Sequence, residues 1–149
     1  MKTTKFYTLA KKMFLGILTV MIVISISSCA RKVSFLTSSV VPAARGYIKV
    51  KRDGNKNYVI QVQLSDLAEA SRLQPPRQTY VVWMVTDREE TKNIGQVKSS
   101  ENFVSKNLSA SFETVSSSRP TKIFITAEDD PGSQYPSTLV VLSTDKFWN

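Results

Sequence analysis

Cys29 is the residue whose type and position point most directly to chemistry, and it is the only cysteine in the chain. It follows a stretch with the three parts of a secretory signal: a basic start, an apolar run over residues 13–26, and the small residues Ser27 and Ser28. A cysteine at this position predicts that its thiol receives a lipid and that the signal is then cleaved after Ser28. Acyl chains such as palmitate would then hold the new N-terminus at a membrane.

The sequence around the predicted cleavage site resembles a bacterial lipobox, in which an aliphatic residue and two small residues precede the lipidated cysteine. Here residues 26–29 read Ile-Ser-Ser-Cys. An uncleaved transmembrane helix is the main alternative, and plain secretion is another. The apolar run is shorter than the roughly 18 to 20 residues that span a bilayer. Arg31 and Lys32 follow it, however, as basic residues often follow an anchor helix. We favour lipidation.

Other side chains that commonly carry catalysis or bind metals are scarce. The chain has no histidine, and its only thiol is predicted to be acylated, so His-based triads and zinc or copper sites are excluded. The acidic run of Glu128, Asp129 and Asp130 offers carboxylates that suit calcium. It lacks the spacing of a calcium loop, so we favour a solvated turn. We predict no catalytic residue, no metal and no cofactor, and we do not expect an enzyme.

Length and charge are consistent with one small domain behind an export signal. The signal covers residues 1–28 and leaves 121 residues, enough to bury a core. The four lysines of the signal carry half of the formal net charge of +8. The high isoelectric point therefore belongs in large part to the signal, and no nucleic-acid partner is predicted.

Residues 29–44 are predicted to contain the lipidated cysteine and a tether, because an acylated Cys29 lies at the membrane surface while the domain lies above it. Apolar stretches at residues 33–35 and 40–41 also allow a short first strand. Arg31 and Lys32 lie beside the predicted lipid. We interpret them as solvated linker residues, with contact to anionic headgroups as the alternative.

From residue 45 onward apolar and polar residues alternate with a period of two, which predicts strands with one buried and one solvated face. Residues 53–55, Asp-Gly-Asn, predict a hairpin, and residues 58–64 predict its returning strand. Beyond this strand, residues 65–71 predict one or two helical turns with Ser65 as the N-cap.

The strongest predicted strand spans residues 79–86 and is apolar on both faces, so we place it centrally in a sheet. Further strands are predicted at residues 94–97, 108–113, 122–128 and 138–143. Six to eight short strands without a long helix predict an all-β fold. We expect a single antiparallel β-sandwich of immunoglobulin or cupredoxin-like type over residues 45–149.

The order of these segments resembles the extracytoplasmic C-terminal domain of the anti-sigma-K factor family. A Tyr-x-x-Trp strand at residues 80–85 and a glycine-containing strand at residues 95–97 carry part of the resemblance. The acidic turn at residues 128–133 and the final apolar strand at residues 139–142 carry the rest. The resemblance covers roughly residues 46–143. It implies an envelope-facing β-sandwich, and no catalytic or binding residue follows from it.

The chain departs from that family before Cys29. Members of the family hold their sigma factor with a cytoplasmic N-terminal domain joined through a transmembrane helix, whereas here we expect only a short signal. The resemblance therefore implies that the envelope domain is present without the sigma-binding domain.

Aromatic residues are the remaining candidates for a binding surface. We expect Tyr80 and Trp83 to fill the core, because large aromatic side chains suit buried strands. Trp148 lies near the C-terminus. It is predicted either to mark an interaction surface or to cover the open end of the core.

Two functions remain open. The first is a non-enzymatic module of the bacterial cell envelope, lipid-anchored to a membrane, that senses or binds an envelope protein partner. The second is a small module that binds a glycan or another envelope ligand through exposed aromatics. A row of exposed aromatics would favour the second, and an apolar patch or uncovered edge strand the first. Ala30, rather than aspartate, follows Cys29, so we expect the outer membrane and its periplasmic face.

Overall fold

The structure is a computed structural model that describes residues 30–97 and 109–148. The predicted signal, its cleavage site at Ser28 and the lipidated Cys29 lie outside the described residues. In chain order the described residues form β1 (Arg31–Ser34), β2 (Arg45–Arg52), β3 (Tyr58–Ser65), a 3-10 helix (Ala70–Arg72), β4 (Thr79–Thr86), β5 (Thr91–Val97), β6 (Ala110–Ser116), β7 (Pro120–Glu128) and β8 (Val140–Ser143).

These strands form two four-stranded antiparallel sheets, which confirms the predicted all-β sandwich. Sheet A has the order β1-β2-β3-β6, and sheet B has the order β5-β4-β7-β8. β4 lies between β5 and β7, so the prediction of a central strand at residues 79–86 is confirmed. β1 pairs with β2 along its whole length, from Arg31 opposite Val50 to Ser34 opposite Tyr47.

The antiparallel order gathers the connections at two ends of the sandwich. At one end, which we call the entry end, lie residue 30, the turns 53–57, 87–90 and 117–119, and the C-terminal residues 144–148. At the other, which we call the far end, lie the connections 35–44, 66–78 and 129–139. The described chain therefore starts and finishes at the same end.

The predicted hairpin joins β2 to β3 at the entry end. The two strands pair from Arg45 opposite Ser65 to Arg52 opposite Tyr58. The Asp53 carboxylate accepts hydrogen bonds from the backbone N–H groups of Asn55 and Asn57, at 2.9 and 2.8 Å. This Asx-type turn fixes the register of the hairpin, because the Asp53 carboxylate binds the backbone N–H groups at the bend, where the strands themselves do not pair.

The core lies between the sheets and is built from the alternate residues that each strand turns inward. Ile48, Ile60 and Val62 of sheet A are fully buried, as are Ile123 and Ile125 of sheet B. Strict alternation along β2 and β3 places lysine and glutamine side chains on the opposite, outer face of sheet A. The two-residue period in the sequence thus corresponds directly to the buried face.

Trp83 is buried on the other side of β4, outside this core. Tyr80, Val82 and Met84 belong to the core cluster, and Trp83 does not, although its exposed fraction is also 0%. It stacks on Phe124 of β7, with ring centroids 6.3 Å apart and an interplanar angle of 15°. The predicted burial is confirmed, but it occurs on the outer face of sheet B.

The segment 129–139 covers this outer face. Asn93, which lies opposite Trp83 on β5, donates hydrogen bonds to the carbonyl oxygens of Pro131 and Ser133, at 2.9 and 3.0 Å. Ser137 donates its backbone N–H to the Glu128 carboxylate at 2.8 Å. A connection that folds back in this way gives sheet B a second buried layer, which explains why β4 is apolar on both faces.

The predicted helical turns at residues 65–71 differ from the structure. Ser65 still belongs to β3, and the only helical residues in this described stretch form the 3-10 helix at Ala70–Arg72. Asp66 has a positive φ of 56°, a conformation that is incompatible with the first turn of a right-handed helix. The buried side chains Leu67 and Leu73 hold the connection against the core.

Tyr80 is a buried phenol that should make the stability of the fold sensitive to alkaline pH. Its side chain is fully buried and donates a 2.8 Å hydrogen bond to the carbonyl of Ala68. Desolvation by burial raises the pKa of Tyr80 from 10.0 to about 12. The unfolded chain therefore releases this proton at lower pH than the folded chain does. The stabilisation is fully present below pH 10 and is lost as the pH rises towards about 12.

We expect the free energy of unfolding to fall across this window, and urea denaturation at a series of pH values measures it. Tyr80→Phe should lower stability at neutral pH by about 1 kcal/mol, through the lost hydrogen bond. The free energy of unfolding of this variant should also fall less steeply than that of the parent protein between pH 10 and about 12. Parallel pH profiles for the two proteins would show that Tyr80 does not contribute.

Candidate functional site

The predicted site residues Cys29 and Ser28 lie outside the described residues, but their distance along the chain from the sandwich is short. β1 begins at Arg31, so only Ala30 separates it from Cys29. Two residues of chain reach at most about 7 Å. Whatever is attached to Cys29 is therefore attached next to the entry end of the sandwich.

The entry end carries a group of cationic and aromatic side chains that we call the Trp148 cluster: Arg31, Arg52, Tyr58, Arg119 and Trp148. The guanidinium carbons of Arg31 and Arg119 lie 5.8 and 5.2 Å from the centroid of the Trp148 ring. That of Arg52 lies 5.4 Å from the Tyr58 ring. The two rings are in contact, with centroids 5.8 Å apart. At these distances each arginine is attracted to the face of a ring.

Different parts of the chain position the members of this cluster. Phe147 is buried, contacts Trp148 with ring centroids 5.5 Å apart, and donates its backbone N–H to the carbonyl of Thr121 at 2.9 Å. The C-terminal residues are thereby held against β7. Arg31 begins β1 and Arg52 ends β2, so antiparallel pairing places both at the same end. The cluster therefore depends on the fold of the whole domain.

A polar cleft of about 370 Å³ adjoins the cluster. Arg52 and Arg119 line it together with Lys56, Arg88 and a single carboxylate, that of Asp87. Lys56, Arg88 and Asp87 are exposed. Four cations and one anion around a small concave surface create a positive potential, which attracts anions.

Two carboxylates near the entry end, those of Glu89 and Glu90, pair with lysines. The four ion pairs between described residues are Arg72–Glu69, Arg77–Asp129, Lys92–Glu90 and Lys146–Glu89. A hydrogen bond from Lys92, with its positive charge, holds the pKa of Glu90 below its usual range. None of these pairs involves the arginines of the Trp148 cluster, so no described carboxylate forms an ion pair with them.

Comparison with protein-family models, curated proteins and solved structures finds no match to this chain. Among the described residues, no helix is long and apolar enough to cross a membrane. The same residues contain no group of three or more acidic or thiol side chains placed to hold a metal ion. The site is therefore interpreted from its own geometry.

The acidic run at residues 128–130 is divided among separate structural roles. Glu128 is buried and accepts hydrogen bonds from the Thr126 hydroxyl and the backbone of Ser137. Asp129 pairs with Arg77 on the neighbouring connection. Asp130 is exposed, and its carboxylate accepts the N–H of Gly132 at 2.8 Å. Each carboxylate thus has its own partner.

The outer face of sheet A carries a second, smaller contact between cations and an aromatic ring. The ammonium nitrogens of Lys32 and Lys49 lie 4.0 and 5.6 Å from the centroid of the Tyr47 ring. Lys32 and Lys49 are also direct cross-strand neighbours. Because the Tyr47 ring lies beneath both ammonium groups, it is not a free stacking platform.

The far end carries an apolar surface. A groove of about 520 Å³ is lined by Val40, Pro42, Leu73 and Leu139, among others. Beside it, Val140 starts the edge strand β8 and is 41% exposed. An apolar groove next to an exposed apolar side chain can accommodate an apolar peptide segment.

The aromatic residues of the chain occupy different positions. Tyr80 is in the core as predicted, and Trp148 is half-buried at the entry end. Tyr135 is 82% exposed, on the connection that covers Trp83. Phe103 lies outside the described residues. The roles of Arg52 and Arg119 could not be predicted from the sequence, because nothing local links them to Tyr58 and Trp148.

Proposed function

We propose that this chain is a lipid-anchored protein of the bacterial cell envelope and that it acts as a non-enzymatic module which holds a protein partner close to the membrane. The signal over residues 1–28 and the lipobox-like residues before Cys29 support the anchor. The lipid at Cys29 attaches the module, and the sandwich provides the binding surface.

The observation that carries this proposal is the difference between the two ends of the sandwich. The entry end lies within two residues of Cys29 and is cationic. The far end contains the apolar groove and the exposed start of β8 at Val140. An anchor at one end leaves the opposite end accessible to a partner.

The described aromatic side chains favour a protein partner over a glycan. A glycan platform needs a row of aromatic faces open to solvent, but Tyr80 and Trp83 are fully buried. Among the described aromatic residues only Tyr135 is largely exposed, at 82%, and a single ring does not make such a row. Cations lie over the rings of Tyr47, Tyr58 and Trp148. The apolar groove and the exposed side chain of Val140 are features expected of a protein-binding surface.

The relation to the anti-sigma-K factor family belongs to this proposal. The sandwich is compatible with an envelope domain of that kind, and the Tyr-x-x-Trp strand corresponds to β4. Placement in the outer membrane, facing the periplasm, is proposed from Ala30 after the cysteine. A sensing or scaffolding role would need no chemistry beyond binding.

Site-specific photocrosslinking in bacterial cells tests this function. We compare Val140→p-benzoylphenylalanine at the far end with Val115→p-benzoylphenylalanine on the outer side of sheet A. Val115 is 57% exposed and Val140 only 41%, so random collision would favour Val115. We expect one recurrent protein adduct from position 140 and none of the same mass from position 115.

The anchor is tested in the same cells by adding Cys29→Ala. We expect this substitution to abolish incorporation of labelled fatty acid and to remove the adduct at position 140. An adduct pattern that is the same at both positions would contradict a far-end binding surface. Unchanged fatty-acid labelling in Cys29→Ala would contradict the anchor.

A further inference from the structure

We propose that the entry end binds the phosphate headgroups of an anionic phospholipid bilayer, so that the sandwich stands on the membrane through the Trp148 cluster and the adjacent cleft. This inference rests on the proposed attachment of the chain to a membrane at its N-terminus. It goes beyond that attachment, because it assigns a second contact with the bilayer, made by the folded domain.

Proximity is the first argument. The chain between Cys29 and β1 consists of Ala30 alone, and Arg31 contacts the Trp148 ring. A tether of this length confines the entry end to the membrane surface at a high effective concentration. Even weak headgroup contacts are then formed most of the time.

The chemistry of the side chains is the second argument. Arg31, Arg52, Arg88 and Arg119 come from four different segments and converge on one end. A guanidinium group matches two oxygens of a phosphate, and stacking on an aromatic ring leaves its N–H donors available. Four guanidinium groups at one end, with Asp87 as the single carboxylate of the adjacent cleft, form a surface that suits several phosphates rather than one.

The aromatic residues are the third argument. Trp148 and Tyr58 are both half-buried, so each ring packs on the domain and retains an exposed part. Tryptophan and tyrosine concentrate at the headgroup level of membranes, since their rings combine an apolar body with a polar atom. The combination of arginine with these rings therefore favours a membrane over an acidic protein.

The two tryptophans of the chain provide the test, because they have opposite environments. Trp83 is fully buried, whereas Trp148 lies in the proposed contact. The full chain is purified from bacterial membranes and reconstituted into vesicles whose lipids include one with a nitroxide on its headgroup. Vesicles of phosphatidylcholine alone are compared with vesicles that contain about 30% phosphatidylglycerol.

We expect the quenching of tryptophan fluorescence to be at least about threefold stronger in the anionic vesicles and to weaken in about 0.5 M salt. Trp148→Phe should abolish the difference. Arg52→Gln with Arg119→Gln should reduce it to the level of neutral vesicles. The matched control is Arg45→Gln with Arg72→Gln, which removes two exposed arginines from the far end and should leave the quenching unchanged.

Equal quenching in the two kinds of vesicle would overturn the proposal. So would a loss of quenching in the far-end control equal to that in Arg52→Gln with Arg119→Gln. An acidic protein would then be the better candidate ligand for the cluster. The mass of the reconstituted protein separates this result from a failure of the proposed function. An unacylated Cys29 with charge-dependent quenching would refute the lipid anchor alone. An acylated Cys29 with charge-independent quenching would refute the headgroup contact alone.

Discussion

Trp83→Ala is expected to lower the free energy of unfolding by roughly 3 to 5 kcal/mol, the largest effect of any substitution considered. The indole is fully buried and stacks on Phe124, and its cross-strand neighbour Asn93 is hydrogen-bonded to the covering segment 129–139. Its truncation leaves a cavity on the outer face of sheet B. Because small domains are stable by only about 5 to 15 kcal/mol, this loss would remove a large part of the stability.

Part of this loss comes from a buried chain of hydrogen bonds. The indole N–H of Trp83 donates to the Thr126 hydroxyl at 2.7 Å, and that hydroxyl donates to the Glu128 carboxylate. Thr126 is fully buried and Glu128 is 6% exposed. Removing the indole leaves one acceptor of this chain without its donor, which costs more than the hydrogen bond itself contributes.

Two further variants make the Trp83 prediction specific. Trp83→Phe keeps an aromatic ring and loses the N–H, so we expect a smaller loss, of about 1 to 3 kcal/mol. Tyr135→Ala changes an exposed ring on the covering segment and should stay within about 0.5 kcal/mol of the parent protein. Chemical denaturation measures all three. A loss below about 1 kcal/mol for Trp83→Ala would mean that the segment does not cover the indole.

Gly95→Ala is expected to lower the free energy of unfolding by roughly 2 to 4 kcal/mol. Gly95 has φ of +138°, which L side chains rarely adopt, and lies at a register shift between β4 and β5. A Cβ atom there would lie 2.6 Å from two ring atoms of Phe112 on β6. The backbone strain and the overlap between the sheets both oppose the alanine.

The contribution of the overlap can be separated from that of the backbone. Phe112→Leu in the Gly95→Ala background removes the ring edge, so the double variant should regain part of the loss, while the backbone strain remains. Thermal or urea denaturation of the four proteins completes a double-mutant cycle. Strict additivity of the two single substitutions would show that Gly95 and Phe112 do not interact.

Much of the fold could be predicted from local patterns. The hairpin at residues 53–57 and the central position of β4 both follow from alternation and from turn residues, which are properties of a few neighbouring positions. Helical turns were predicted from residue 65 onward, whereas only the 3-10 helix at Ala70–Arg72 forms, because the backbone at Asp66 adopts a positive φ.

The site was predicted less completely. Cys29 is part of a local motif, so its lipidation remains a sequence-based proposal that the described residues do not address. Arg31 was interpreted as a solvated linker residue, whereas the structure places it at the start of β1 and over the Trp148 ring. The cleft beside it brings together positions from 52 to 119 of the sequence.

The sequence by itself determined most of the strands, the hairpin turn after β2 and the buried faces of β2 and β3, because a period of two and a turn residue are read from adjacent positions. Only the tertiary structure decided that Trp83 is buried beneath the segment 129–139 and that Arg31, Arg119 and Trp148 meet. Those contacts depend on the order of strands in two sheets. Strand order is a property of the whole chain, since each pairing is fixed only when the others have formed.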